Sequence, residues 1–407
     1  MSAAPTSLAG IPDVRRQARV NAYVLSVCQA LSQGGAVLVV VVSALAGHAL
    51  AENKALATVP YGMQFLATMV STVPASLLMG RIGRRAGFTV GQTIGILGAG
   101  LAAYAVYSGN FVLFAIGSAT LGVHNAFWQY FRFAAADLAD DDFRPKAISY
   151  VMAGGLVAAF IGPEVAKLFR ESIPAAPFAG SYAALAGMFV VNIVLLRLVR
   201  IPLPTTALSA GRPLPAIVRN PVFVVAALAA MLGYASMNLL MTATPLAMHA
   251  DHFDFADTAL VIQWHVVGMY GPSFFTGHLI RRYGSPRVIL AGTLLMIASI
   301  TVNLVDHTLL HYWLGLLLIG MGWNLMFVGG TALLTECHRP EERARVQALN
   351  DFMVFGAVAL ASLTSGALQH AQGWMIVNLF VLMPILAVFT ATTALLIHRH
   401  RLAQKTA

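Results

Sequence analysis

Apolar runs of roughly 20 residues, each enough to cross a hydrocarbon core of about 30 Å as a helix, alternate along the chain with short clusters of charge, glycine and proline. The runs begin near Val20, Leu56, Phe88, Phe111, Ala147, Phe178, Pro221, Asp257, Pro286, Leu309, Val346 and Gly373. They predict an all-α membrane protein of twelve transmembrane helices. Polar residues inside the runs are few, and each is a candidate for function, because an ionisable group at membrane depth is costly and usually faces a cavity or partner.

Composition sharpens this picture. The 407 residues are 58% hydrophobic and only 10% charged, with mean hydropathy +0.75, against about 25% charged in a soluble domain. A soluble enzyme is excluded. The net charge of +9 does not indicate nucleic acid, since the basic residues lie between the spans. Cys28 and Cys337 lie far apart in sequence, in or beside different spans, and suggest neither a disulfide framework nor a zinc site. The first run is too long for a signal-peptide core of about 7–15 residues and reads as a retained span. With no phosphate-binding loop, transport driven by ATP is not expected.

Arginine and lysine set the orientation. Arg15, Arg16 and Arg19 precede span 1. Arg81, Arg84 and Arg85 follow span 2, Arg144 and Lys146 span 4, and Arg197, Arg200, Arg212 and Arg219 span 6. Arg281, Arg282 and Arg287 follow span 8, Arg339, Arg343 and Arg345 follow span 10, and Arg399, Arg401 and Lys405 end the chain. The other side has only Lys54, Lys167 and Arg170. Basic loops stay inside, so both termini are expected in the cytoplasm, with the protein in a bacterial cytoplasmic membrane as a monomer.

The chain also repeats itself. Gly83 in Arg81-Ile-Gly83-Arg84-Arg85 and Gly284 in Arg281-Arg282-Tyr-Gly284 are 201 residues apart. An offset of 199 residues sets His124-Asn125 against Trp323-Asn324, and Arg144 against Arg343. A duplication of six spans explains these matches and predicts two pseudo-symmetric six-helix bundles, 1–200 and 220–407, joined by a proline-rich cytoplasmic linker at 201–219. Paired halves of this kind hold substrate near the bilayer midplane. The chain resembles the major facilitator superfamily (MFS), whose loop pattern after spans 2 and 8 runs Gly-x-Leu-x-Asp-Arg-x-Gly-Arg-Arg. The first copy keeps Leu78, Arg81, Gly83, Arg84 and Arg85, with Ser76 for the first Gly and Gly80 for the Asp. The second keeps Gly277, Leu279, Arg282 and Gly284, with Arg281 for the Asp. Both copies thus lack the acid of the usual inter-helix charge contact.

Candidate chemistry centres on Met237-x-x-x-Met241 in span 7 and His265-x-x-x-Met269 in span 8. Residues four apart share a helix face, and three thioethers with one imidazole make a soft donor set suited to Cu(I). Thioethers carry no proton, whereas the imidazole ligates only when neutral, so acidification outside is expected to weaken loading. Methionine is equally a common core filler, and packing alone explains any one of these. Met248 continues the span 7 stripe toward the outer surface, where His249, His252 and neighbouring acids either concentrate cations or simply form a polar loop capped by Asp254 or Asp257. The motifs look like those of the CcoA-type copper importers, a bacterial branch of the superfamily. That resemblance implies Met237, Met241, His265 and Met269 as copper ligands, copper as the transported substrate with no resident cofactor, and copper supply for haem–copper (cytochrome c) oxidase assembly. Cys28 is a possible accessory donor. Related carriers transport riboflavin, and Trp128, Tyr130, Trp264 and Trp323 offer stacking surfaces for such an organic solute. A drug/proton antiporter is a further alternative, since Gly154-Gly155…Gly162-Pro163 partly matches that group's motif. Arg132, Glu164 and Asp351 are candidates for gating or proton coupling, with Glu336 another acid near membrane depth.

Overall fold

The computed structural model describes residues 13–140, 142–201, 214–339 and 342–406, which are helical almost throughout. Helix α1 is Val14–Leu50, α2 Val59–Ile82, α3 Arg84–Tyr107, α4 Phe111–Trp128, α5 Arg144–Phe169 and α6 Ala179–Leu196. Then come α7 Pro221–Ala250, α8 Phe255–Tyr270, the short helix Ser273–Tyr283, α9 Ser285–Val305 and α10 Leu309–Leu334. The last helix, Arg343–Thr406, turns at Gly373, where φ is 73° and ψ 178°. Its arms, 343–372 and 374–406, are α11 and α12. Ten helices among the described residues are long and apolar enough to cross a membrane. The turn at Gly373 divides one of them into two crossings, and α8 with its short continuation supplies another, which gives the twelve spans expected. Most of the proline-rich segment expected to link the halves, 202–213, lies outside the described residues.

Two compact units form, one from Met1–Leu50 with Met63–Ala207, the other from Ala51–Gly62 with Leu208–Ala407. The connection after α1 therefore packs with the second unit, where the Gly366 N–H donates to Thr58 Oγ1 at 2.9 Å. In the first unit α1 packs on α5, and α3 on both α4 and α6. In the second, α7 packs on Arg343–Thr406, where Asn238 Nδ2 donates to Ser362 Oγ at 2.5 Å. There α9 packs on α10 and, through Asn303 Nδ2 to Asn378 Oδ1 at 2.9 Å, on α12. The same pairings recur six helices apart.

The duplication is also written in the backbone. Gly83 has φ 86° and ψ 154°, and Gly284 has φ 83° and ψ 151°. Each turns one helix directly into the next through a conformation that only glycine adopts without strain. The loop motif's charge contact survives in the first unit with a different acid: Arg84 Nε lies 2.5 Å from Asp137 Oδ2.

Candidate functional site

Met237 and Met241 lie on α7 and are buried, as is Met248 one stripe further along. Gly233, four residues before Met237, faces Met326 of α10. The stripe therefore begins against α10, among methionines that are themselves buried. His265 and Met269 lie on α8 and are buried too. Helix α8 packs broadly on α10 and hardly on α7. The four candidate ligands thus share the second unit and a common neighbour, α10, while the two helices that carry them barely meet.

His265 has the most informative geometry. Its Nδ1 lies 2.7 Å from the carbonyl oxygen of Leu316 on α10. A carbonyl only accepts, so Nδ1 carries the hydrogen, and in the neutral ring Nε2 keeps its lone pair. Nε2 is buried and has no hydrogen-bond partner among the described residues. Such burial without a partner is uncommon. One turn beyond Leu316, Gly320 makes room for the ring: a β-carbon there would lie 3.2 Å from His265 Nδ1 and 2.6 Å from His265 O. The result is an oriented neutral imidazole with one acceptor nitrogen available. That arrangement suits a metal ligand whose other nitrogen is held by a carbonyl, and equally an acceptor for a solute N–H or O–H.

Beside it the second unit assembles an aromatic cluster. Trp323 stacks on Phe327 with ring centroids 5.1 Å apart at 12°. Tyr234 meets Trp323 edge-on at 5.1 Å, and Tyr270 does so at 6.1 Å. Phe355 of α11 closes in on Tyr234 at 6.5 Å. The indole Nε1–H of Trp323 is buried and has no acceptor among the described residues. Tyr234, Tyr270, Phe327 and Phe355 are only partly buried. Of the aromatic residues proposed from sequence, Trp323 alone joins this cluster. Trp264 is 37% exposed and sits edge-on to Trp313. Trp128 donates to Asn125 Oδ1 at 3.0 Å, and Tyr130 leans on Phe133; both belong to the first unit.

Sequence reasoning did not find Asn324, although it noted the residue as part of the repeat. Helix α8 breaks at Gly271-Pro272, and Asn324 Nδ2 bridges the break, donating to Met269 O at 2.7 Å and Ser273 Oγ at 2.6 Å. Thr276 Oγ1 donates to Asn324 Oδ1 at 2.7 Å. Gly271 and Pro272 keep right-handed helical dihedrals, so the interruption reflects the hydrogen bond that proline cannot donate, and the Gly-Pro pair was the available signal.

The remaining candidates are scattered. Cys28 is buried on α1 in the first unit, where its carbonyl accepts from Asn192 Nδ2 at 3.4 Å. His249 and His252 are exposed at the end of α7. Asp251 there accepts from Tyr312 Oη at 2.7 Å and lies 3.2 Å from His307 Nδ1. Arg132 lies over the Phe133 ring at 4.8 Å. The Glu164 side chain is 59% exposed and pairs with Lys167 at 2.5 Å. Glu336 pairs with Arg399 at 2.7 Å. Asp351, near the start of α11, accepts from Asn350 Nδ2 at 3.5 Å.

Comparison with known proteins agrees with this architecture. The Major Facilitator Superfamily profile matches residues 24–362 and 226–406. The chain is 38% identical over 374 residues to the riboflavin transporter RfnT of Brucella anthropi, covering 91% of this chain and 94% of that one. It is 28% identical over 379 residues to YdeG of Bacillus subtilis, an uncharacterized MFS-type transporter, covering 88% and 87%. Among solved structures, the nucleoside transporter NupG superposes with TM-score 0.72 at 14% identity over 93% of this chain and 99% of that one. An auto-inhibited POT family peptide transporter gives TM-score 0.68 at 14% identity over 95% and 97%. These two likenesses speak to fold alone. The chain belongs to the major facilitator superfamily of membrane transporters.

Proposed function

We propose that this protein carries a flavin-like solute, a planar heteroaromatic ring with a polar chain, inward across a bacterial cytoplasmic membrane with both termini cytoplasmic. The observation that carries this reading is the 38% identity, spread over nine-tenths of both chains, to a riboflavin transporter. The chemistry of the second unit supports it. A planar ring system gains from stacking on aromatic side chains, and Tyr234, Tyr270, Trp323 and Phe327 form an aromatic cluster. The unpartnered Trp323 Nε1–H and His265 Nε2 add one donor and one acceptor, and a flavin ring edge carries both kinds of group.

Copper import, with oxidase assembly downstream, is the second reading, and His265 is what favours it. An imidazole tied at Nδ1 to a carbonyl with Nε2 available is oriented as a metal ligand would be. It ranks second because α7, with Met237 and Met241, scarcely contacts α8.

The deciding experiment is uptake in a bacterium unable to make riboflavin. Cells expressing the protein should take up radiolabelled riboflavin saturably and grow on low external flavin, with excess Cu(I) failing to compete. Copper accumulation without flavin uptake would reverse the order of the two readings.

A further inference from the structure

Three turns of the second unit converge on a single side chain. They are the α7–α8 turn at 251–254, the α9–α10 turn at 306–308 and the α11–α12 turn at Gly373. Successive spans alternate in direction, so the three turns share one end of the unit, the outer end in the orientation proposed above. Tyr312, near the start of α10, is 1% exposed. Its hydroxyl donates to Asp251 Oδ2 of the first turn at 2.7 Å. Its ring meets Phe253 edge-on at 5.8 Å and tilts against Trp374, directly after Gly373, at 5.3 Å. From the second turn, His307 brings its ring to 6.2 Å from that of Tyr312 and its Nδ1 to 3.2 Å from the same Asp251 oxygen.

The α7–α8 turn needs this hold. His252 has φ 64°, a left-handed conformation that suits glycine and strains a residue with a β-carbon. The turn closes through the N–H groups of Asp251, His252 and Phe253, which donate to Ala247 O at 3.0 Å, His249 O at 3.2 Å and Met248 O at 2.9 Å. Strained backbone persists where its surroundings over-determine it, and here Tyr312 and His307 do so through Asp251 and Phe253. The two contributions differ in kind. A tyrosine hydroxyl keeps its proton from about pH 5 to 8, so its bond is constant over that range. A histidine changes charge within it. A charged imidazole attracts a carboxylate strongly, whereas a neutral one offers only an ordinary hydrogen bond. The His307 and Asp251 side chains are 49% and 31% exposed, so the proton exchanges directly with solvent.

We propose that His307 and Asp251 form a pH-sensitive clasp: protonation of His307 tightens the α7–α8 turn against the α9–α10 turn and stiffens that end of the second unit. The clasp depends on neither substrate reading. Other titratable groups lie on the elements around it: His249, His252, Asp254 and Asp257 about the first turn, Asp306 and His311 about the second, and His370 before the third. Asp306 Oδ1 accepts from the His307 backbone N–H at 2.7 Å, and His311 Nδ1 lies 2.7 Å from Thr308 Oγ1. A substitution at Asp251 therefore has to show that this carboxylate, and none of its neighbours, reads the charge on His307.

The test is hydrogen exchange of the 251–253 amides, followed by mass spectrometry on the purified protein in detergent at about pH 5.5 and about pH 8. Exchange through local opening reports how firmly the turn is held. His307→Gln keeps a side-chain donor, removes the titration and lies outside the peptide measured, so intrinsic exchange chemistry cancels when it is compared with wild type at one pH. It should speed exchange about threefold at the acidic pH, the scale of a partly exposed ion pair, and less than about 1.3-fold at the basic pH. In an Asp251→Asn background, His307→Gln should act equally at both. Tyr312→Phe should speed exchange at both, since its strut does not titrate. An equal effect of His307→Gln at the two pH values, no effect at either, or a pH-dependent effect that survives Asp251→Asn would each overturn the clasp. Melting temperatures check folding, and should Tyr312→Phe fail to fold, the His307 and Asp251 variants decide alone.

Discussion

His124 and His265 occupy matching sockets on helices that the duplication does not pair. Each ring donates Nδ1–H to a carbonyl on a neighbouring helix, and each relies on a glycine four residues beyond that carbonyl. Yet the residue aligned with His124 in the second half is Trp323, not His265. The sockets differ in what presses on the glycine. At Gly95 the nearest atoms belong to the side chains of His124 and Phe189, whereas at Gly320 they include the backbone of His265 and Met269. One socket can therefore yield by moving a ring, and the other only by moving a helix. The comparison teaches that a shared hydrogen-bond motif need not carry shared mechanical properties, because rigidity comes from what surrounds it.

The sharpest way to break that contrast is a pair of alanine substitutions. Gly320→Ala should cost about 3 kcal/mol, the upper end for overpacking against atoms that cannot retreat, and Gly95→Ala about 1 kcal/mol. Unfolding of the purified protein in detergent measures both, and equal costs would erase the distinction. Next in size, Trp323→Ala should raise KM for riboflavin and lumiflavin alike by about tenfold, or about 1.4 kcal/mol. A loss confined to riboflavin would move the ring-binding role away from the second unit. Met237→Leu with Met241→Leu should leave flavin uptake within about twofold, since the swap conserves volume. Loss of uptake with folding intact would return the methionines to a ligand role.

The smallest effect concerns the Arg84–Asp137 ion pair of the first unit. Burial raises the Asp137 pKa above its ordinary value, and the Arg84 guanidinium pulls it back down. A carboxyl whose pKa is higher folded than unfolded contributes most below its unfolded pKa, and that contribution is lost as pH rises through the folded value. Arg84→Gln removes the opposing pull, raises the Asp137 pKa further, and should deepen the decline in melting temperature from acidic to neutral pH. An unchanged pH profile would show that the pair has no share in stability.

Much of the fold was legible because bilayer thickness imposes a repeat length that any apolar run must meet. The paired glycines were legible for a similar reason: Gly83 and Gly284 share a backbone conformation closed to other residues. His265 stood out as an imidazole within an apolar span. Its acceptor, Leu316 O, could not be read from sequence, since every residue offers a carbonyl and only packing selects one. The same blindness left His124 as one polar residue among several. The Glu164–Lys167 pair could have been read from sequence, since Lys167 is three residues on and that spacing on a helix brings the two side chains together. The aromatic cluster draws Tyr234, Trp323 and Phe355 from three separate helices, so no local spacing announces it.

Asn324 commits both amide hydrogens and its oxygen to the break in α8. A single side chain thus latches the joint between the upper segment of that helix and the Ser273–Tyr283 piece. Because three hydrogen bonds converge on one residue, a single substitution at Asn324 strips the joint of all of them together.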